Sequence, residues 1–206
     1  MSGEFTSGYS MRLWARARWV GLSLISVWLG TVLWTVLSYA AVTDDATRLD
    51  VQTDPGGGVR ATARVVFPAK PDVILRILTD YLKWPELFDT KMRVANLSID
   101  QGIATTDLRI SHLLLPGERR LVSESRTLAD GGLVTDLKGG DFKRYHRVWK
   151  LAPTDNGSQT SAEFELIVEI ETMLPDWLVA FATRRELETH FRIVREKALQ
   201  KSRMGN

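Results

Sequence analysis

Cysteine is absent from the sequence, and histidine occurs only three times in 206 residues. The absence of cysteine excludes disulfides, thiolate metal ligands and a cysteine nucleophile. His112, His146 and His190 have no acidic partner at a spacing typical of a zinc site or a catalytic triad. We therefore expect no metal site and no cofactor.

Net positive charge is also absent once the N-terminus is set aside. The formal net charge is +2, and the first 40 residues contain three arginines and one glutamate, a difference of two that accounts for all of it. A neutral remainder lacks the positive field that binding a phosphate backbone requires. With 44% hydrophobic and 25% charged residues, the composition indicates a globular domain that does not bind nucleic acid.

Charged residues are missing altogether from 19 to 41, directly after the three arginines. This pattern is typical of a cleaved signal peptide or, because about 20 apolar residues span a bilayer, of an uncleaved signal anchor. The small residues in Ser38–Ala40 favour cleavage. By the positive-inside rule the arginines stay in the cytoplasm. Residues 1–41 therefore predict an exported domain in the periplasm, soluble or anchored to the inner membrane by residues 19–41.

The exported part begins with a predicted linker. Residues 42–57 are mostly polar and end in a proline and glycines, with a candidate short strand around Leu49 and Val51. Apolar and polar residues then alternate over 59–67, which is typical of a half-buried strand. A helix is predicted to open at Pro71, and a second short turn follows near 84–88. We place the folded domain at 58–203.

Tight turns dominate the middle of the chain and imply antiparallel neighbours. In the last predicted strand, Ala162, Phe164 and Leu166 face inward while the intervening glutamates face water. The predicted strands are 92–99, 103–114, 119–128, 133–138, 142–151 and 160–172.

A long helix is predicted over about 175–203, because a proline and an aspartate occupy its first turn. Its apolar residues form two stripes, one with Trp177 and Phe181 and the other with Phe191 and Val194. In one interpretation all of this surface is ordinary core. In the other, the first half is the lid of a cavity and the second half its spine.

These elements predict an α+β fold. It is a curved antiparallel sheet of about seven strands that grips the long C-terminal helix, with two short helices after the first strand and an internal hydrophobic cavity.

The order and spacing of several short motifs resemble the START-like or helix-grip superfamily, and in particular its polyketide cyclase/dehydrase and coenzyme-Q-binding branch. The motifs are Phe67–Ala69, Leu78–Tyr81 with Trp84-Pro85, Gly139–Lys143 ahead of Trp149, and Leu174–Val179. The resemblance covers about 59–198. It implies a cavity for a lipid-like or polycyclic ligand, with carrier activity commoner than catalysis.

Twelve residues are candidates to line that cavity. His112 shares the strand register of Leu108 and Ile110, so its imidazole is expected to orient a ligand carbonyl or act as a general base. The alternative is a histidine satisfied by an ordinary neighbour. The candidates are Trp84, Phe88, Leu108, Ile110, His112, Leu114, Tyr145, Trp149, Phe164, Leu166, Trp177 and Phe181.

Several points stay open at this stage. The face with Tyr145 and Trp149 is taken as inward because the larger apolar area lies there. Glu124 and Arg126 are expected to face water. The four aromatic residues near the cavity opening, Trp84, Phe88, Trp177 and Phe181, are interpreted as a gate or, alternatively, as core.

Three functions follow as hypotheses. The first is an exported carrier or chaperone that binds a lipid, isoprenoid or quinone without catalysis. The second is a cyclase or dehydrase in which His112 or Tyr145 moves a proton. The third is a membrane-tethered interaction module with no ligand. Fold analogy alone does not choose among them.

Overall fold

The computed structural model describes residues 47–112 and 117–204. The predicted targeting segment 1–41 and Leu114 lie outside the described residues. Within these ranges no helix is long and apolar enough to cross a membrane.

One curved, unclosed antiparallel sheet forms the body of the domain. Its eight strands lie in the spatial order β1-β2-β8-β7-β6-β5-β4-β3. Each strand after β3 pairs with the one before it, as the tight turns predict. The strands are β1 Thr47–Thr53, β2 Val59–Phe67, β3 Lys91–Asp100, β4 Ile103–Ser111, β5 Glu118–Thr127, β6 Leu133–Gly140, β7 Phe142–Thr154 and β8 Gln159–Ile170.

Three helical segments cover one face of the sheet. Helix α1, Pro71–Leu78, and a 3₁₀ helix, Tyr81–Leu87, follow β2, and helix α2, Asp176–Met204, ends the described chain. A proline at the start of α1 suits a position whose N–H has no helical partner. Helix α2 contacts β1, β2, α1 and the 3₁₀ helix.

The core lies between the sheet and these helices. Alternate residues of β2 and β8 point into it, and the C-terminal half of α2 buries Leu187, Phe191 and Val194 against them. Trp149 lies at its centre, with ring centroids 4.7 Å from Phe164 and 5.7 Å from Phe191. The outward residues of the same strands include several charged side chains, and Glu163 pairs with Arg64 at 2.7 Å. The predicted alternation of β8 is therefore confirmed.

The sheet has eight strands where about seven were expected, and the additional strand is β1, at the candidate short strand around Leu49 and Val51 within the predicted linker. β1 pairs in register with β2, from Thr47 opposite Val65 to Thr53 opposite Val59. Only Leu49 and Val51 of this strand are even half-buried. An edge strand with so little apolar surface looks like a polar linker in the sequence, because backbone pairing rather than side-chain burial holds it in place.

A candidate ligand cavity beneath helix α2

An apolar cavity of about 210 Å³ lies between the sheet and the N-terminal half of α2. The sheet contributes Met92, Leu108, Ile110, Leu121, Phe142, Tyr145, Arg147, Leu166, Val168 and Ile170. The opposite wall and the opening are formed by Trp84, Phe88, His112, Leu174, Val179, Ala182, Thr183, Glu186 and Leu187.

Side-chain size on α2 explains why this space is not filled. At about 100° per residue, positions 179, 182, 183 and 186 form one face of the helix, and this face lies over the sheet. Three of these four residues are Val179, Ala182 and Thr183, too small to reach the opposite wall. The C-terminal half of the same helix carries Phe191 at the equivalent depth and closes the core.

Arg147 is the most buried charged group in the cavity wall, with 6% of its surface exposed. Its guanidinium carbon lies 4.5 Å from the ring centroid of Trp84, a cation–π arrangement. Nη2 makes a long hydrogen bond of 3.4 Å to Thr135 Oγ1, and Nε has no partner. Among the described residues no carboxylate lies within 4.0 Å of this guanidinium.

Thr135 belongs to a fully buried group of hydroxyls on the inner face of β4, β5 and β6. Its Oγ1 lies 2.9 Å from Ser125 Oγ, and Thr106 Oγ1 lies 3.1 Å from Ser123 Oγ. These pairs sit directly opposite one another in the strand registers. Each hydroxyl satisfies its neighbour, so the group is stable without ligand.

A second polar pair stands where β4 ends. His112 Nε2 lies 3.8 Å from Glu186 Oε1, and both side chains are partly exposed. The other carboxylate oxygen of Glu186, Oε2, is buried without a hydrogen-bond partner. The cavity therefore has one buried cation and one acid–imidazole pair in walls that are mostly apolar, with the hydroxyl-bearing Tyr145 and Thr183 among the other lining residues.

Behind the cavity, His190 is almost completely buried on α2. Its Nδ1–H donates to the carbonyl oxygen of Leu87 at 2.9 Å. Burial lowers the pKa of His190 to about 4, and the nearby charge of Arg147 adds to this shift while the hydrogen bond to Leu87 opposes it. The residue is neutral at physiological pH and acts as core.

A larger concavity, of about 420 Å³, lies on the outer face of the sheet. Charged side chains such as Arg64, Lys150 and Glu163 line it, and several pair with one another. Such a surface is solvated and does not enclose a hydrophobic molecule. Among the described residues no group of three or more His, Asp or Glu is arranged to hold a metal ion.

The family of the chain follows from its sequence over the elements that build the cavity. Residues 67–191 match the family model described as polyketide cyclase / dehydrase and lipid transport. The chain belongs to this family. No curated protein matches the full sequence closely enough to count as a relative.

Several solved structures have a similar fold. A STAR-related lipid transfer protein from Xanthomonas axonopodis superposes with a TM-score of 0.58 at 16% identity, covering 76% of this chain and 95% of that one. Human StAR-related lipid transfer protein 5 superposes with a TM-score of 0.57 at 11% identity, covering 87% of this chain and 99% of that one. The Zhui aromatase/cyclase from Streptomyces sp. R1128 superposes with a TM-score of 0.50 at 13% identity, covering 76% of this chain and 94% of that one.

At these identities the likeness establishes the fold. The predicted START-like resemblance is therefore confirmed. The family fold is one that is consistent with binding a hydrophobic ligand or transporting a lipid.

The structure brings seven of the twelve sequence candidates to the cavity wall. These are Trp84, Phe88, Leu108, Ile110, His112, Tyr145 and Leu166. Their contact with a ligand stays a prediction. Trp149 and Phe164 are instead buried in the core beneath the C-terminal half of α2, and neither lines the cavity.

Trp177 and Phe181 do not line the cavity, which corrects the expectation that they do. They are 68% and 60% exposed. The two positions are four apart and share one stripe of α2, which points to solvent. Phe181 lines a neighbouring concavity together with His112, Ala182 and Glu186, beside the opening of the cavity. The sequence pattern identified the stripe but not its direction.

Other expectations concerned which face of each strand points toward the core. Tyr145 and Trp149 both point inward, and Tyr145 packs edge to face on Phe142, with ring centroids 6.2 Å apart. Glu124 lies on the outer face, where it pairs with Lys138 at 3.1 Å, and Arg126 is exposed.

The residue that sequence reasoning missed is Arg147. Arg147 lies two positions from both Tyr145 and Trp149 and therefore on the same face of β7. The argument that places those two residues inward places Arg147 inward as well. The signal for Arg147 in the sequence was a charged residue at an inward-facing position of a predicted strand.

Proposed function

We propose that this chain binds one hydrophobic small molecule, a lipid, isoprenoid or quinone, in the cavity beneath α2 and carries or shields it without catalysis. The proposal rests on the cavity wall that α2 forms. Val179, Ala182 and Thr183 leave an apolar space that larger side chains would fill. Keeping apolar walls unpacked costs stability, so a retained cavity favours an occupant.

The comparisons support a hydrophobic occupant. The family description includes lipid transport. Two proteins of similar fold are named as lipid transfer proteins. The volume of about 210 Å³ is at the small end for ligand sites, which commonly measure about 300–1,000 Å³, and favours a compact ligand or a slender chain.

The test is native mass spectrometry of the full chain purified from its own cells in mild detergent, followed by organic extraction. About one lipid or quinone per chain is the expected result. A ligand-free protein that also fails to take up a hydrophobic fluorescent probe contradicts the proposal. That result favours the interaction module.

A cyclase or dehydrase is the second candidate, because His112 and Glu186 form an acid–imidazole pair at the cavity. In this role the imidazole takes a proton from a carbon next to a ligand carbonyl and returns it to the departing oxygen. One protein of similar fold is named an aromatase/cyclase. Recovery of an extracted ligand unchanged after incubation favours the carrier, whereas its conversion to a cyclised or dehydrated product favours the enzyme.

We further propose that residues 1–41 export the domain to the periplasm. The support is the uncharged run that follows three arginines. Cell fractionation with mass measurement of the mature chain tests this. Loss of the first 41 residues indicates a cleaved signal peptide, an intact chain in the inner membrane indicates an anchor, and an intact chain in the cytoplasm contradicts export.

A further inference from the structure

The guanidinium of Arg147 is a buried charge without an opposite charge. Only 6% of the residue is exposed, and among the described residues no carboxylate lies within 4.0 Å of it. The one acidic residue in the cavity wall, Glu186, pairs with His112 instead. Burial of an uncompensated charge is strongly unfavourable, so such a group is normally paired.

Its present contacts use little of its hydrogen-bonding capacity. A guanidinium has five N–H donors in a planar fork. Here Nη2 makes one long bond of 3.4 Å to Thr135, Nε makes none, and the guanidinium carbon lies over the ring of Trp84. The ring of Trp84 stabilises the charge but accepts no in-plane hydrogen bond.

Position and chemistry separate this group from other unpaired buried atoms. Trp149 Nε1 and His190 Nε2 also lack partners, but neither residue lines the cavity. Glu186 Oε2 lacks a partner and does line it, but it is an acceptor beside His112 and not a donor. Arg147 does line it, and the walls beside it are Leu108, Leu121 and Leu166. A ligand in this cavity therefore meets an apolar surface with one cation at its inner side.

We propose that Arg147 anchors an anionic oxygen group, a carboxylate or a phosphate, at the polar end of an amphipathic ligand. The apolar part of the ligand packs along the leucines beneath Ala182. Paired N–H bonds to such a group are short, charge-assisted and directional. This inference rests on the proposed function and adds to it the chemical class of the ligand, hydrophobic acids rather than their neutral analogues.

The test compares three probes of one chain length on the full-length protein: decanoate, decyl phosphate and methyl decanoate. Displacement of a hydrophobic fluorescent probe at neutral pH measures their affinities. We expect at least one of the two anions to bind about 10-fold or more tightly than the ester, the size of a charge-assisted hydrogen bond. Whichever anion binds more tightly identifies the group that Arg147 holds.

Two variants assign this preference to the residue. Arg147→Met keeps an apolar side chain of similar length and is expected to abolish the preference while leaving ester affinity unchanged. Lys150→Met removes the same charge from the exposed face of the same strand and is expected to keep the preference for anions over the ester. Arg147→Met is also expected to unfold at the same or higher urea concentration, because it removes an uncompensated buried charge.

The outcomes separate the two claims. If the wild type binds the ester as tightly as both anions, the anchor is wrong and the proposed function stands. If none of the three probes binds, both the anchor and the proposed function are wrong. If Arg147→Met weakens ester and anion equally and also unfolds more easily, Arg147 is a structural residue and the anchor is wrong.

Discussion

The imidazole ring of His190 lies flat against the ring of Phe88, with centroids 4.3 Å apart and planes 8° from parallel. The same imidazole donates a hydrogen bond to the carbonyl of Leu87. Helix α2 is therefore attached to the end of the 3₁₀ helix at a point beside the cavity. The stack joins Phe88, which lines the cavity, to α2 at a residue behind it.

Replacement of His190 by asparagine is expected to change how stability depends on pH. The pKa of this histidine is about 4 in the folded protein and about 6.5 in the unfolded chain. Between these values the unfolded state binds more protons, so the free energy of unfolding falls as the pH falls from 6.5 to 4. The slope contributed by one such group approaches 1.4 kcal/mol per pH unit, as an order-of-magnitude value.

Urea unfolding of the wild type and His190→Asn at a series of pH values measures this slope. Asparagine keeps an N–H near the position of Nδ1 but does not titrate. The difference between the two proteins at pH 8 reports lost packing alone, since the histidine is then neutral in both states. Equal slopes for the two proteins between pH 6.5 and 4 would contradict the assignment.

Ala182→Leu is expected to fill the cavity. The new side chain points at the sheet from the face that carries Thr183 and Glu186. Binding of a hydrophobic probe should weaken about 10-fold or more, because the apolar area available to it is lost. Ala180→Leu, two residues away and outside the cavity wall, is the matched control and should bind as the wild type does. Equal effects of both variants would place the bound probe elsewhere.

Phe191 and Phe181 lie on one helix ten positions apart and differ in burial. Phe191→Ala removes a ring packed on Trp149 and Phe164 and should lower the free energy of unfolding by about 3–5 kcal/mol. Phe181→Ala removes an exposed ring and should change it by about 0.5 kcal/mol or less. Chemical denaturation measures both. A large loss for Phe181→Ala would show that this ring faces inward after all.

Gly140→Ala should destabilise the end of β6. Gly140 has a φ of 106°, and a Cβ there would lie 2.2 Å from the carbonyl oxygen of Arg120. Strain of this kind costs about 1–3 kcal/mol. Gly139→Ala is the control, because a Cβ at Gly139 meets nothing within 4 Å. A thermal melt that shows no difference between the two variants contradicts the close approach of β5 to Gly140.

Local patterns in the sequence predict most of the architecture. The alternation over β2 and β8 and the turn residues between later strands specify antiparallel pairing, since both depend on neighbours only a few positions away. The edge strand β1 is less visible, and only Leu49 and Val51 mark it as a candidate in the sequence. Its stability comes largely from backbone pairing with β2, which hydrophobicity records weakly.

The candidate site is less well predicted, and Trp177 and Arg147 show why. Hydrophobic spacing places Trp177 on a stripe, but the direction of the stripe depends on how α2 rotates over the sheet. Arg147 falls on the inward parity of β7, yet its charge makes an outward position the usual expectation. Inside, its guanidinium meets the ring of Trp84, which comes from a distant segment, and the hydroxyl of Thr135.

The sequence by itself determined the α+β class, the order of its elements and the apolar character of the inner face, because each of these depends on composition and local period. The family followed from the resemblance of its motifs to known proteins. Tertiary structure alone decided which residues enclose the cavity. Small side chains on α2 leave a space only where the helix stands over the sheet, and the buried cation of Arg147 meets an aromatic ring from a distant segment. Both conditions join residues far apart in the chain, and no local pattern records them.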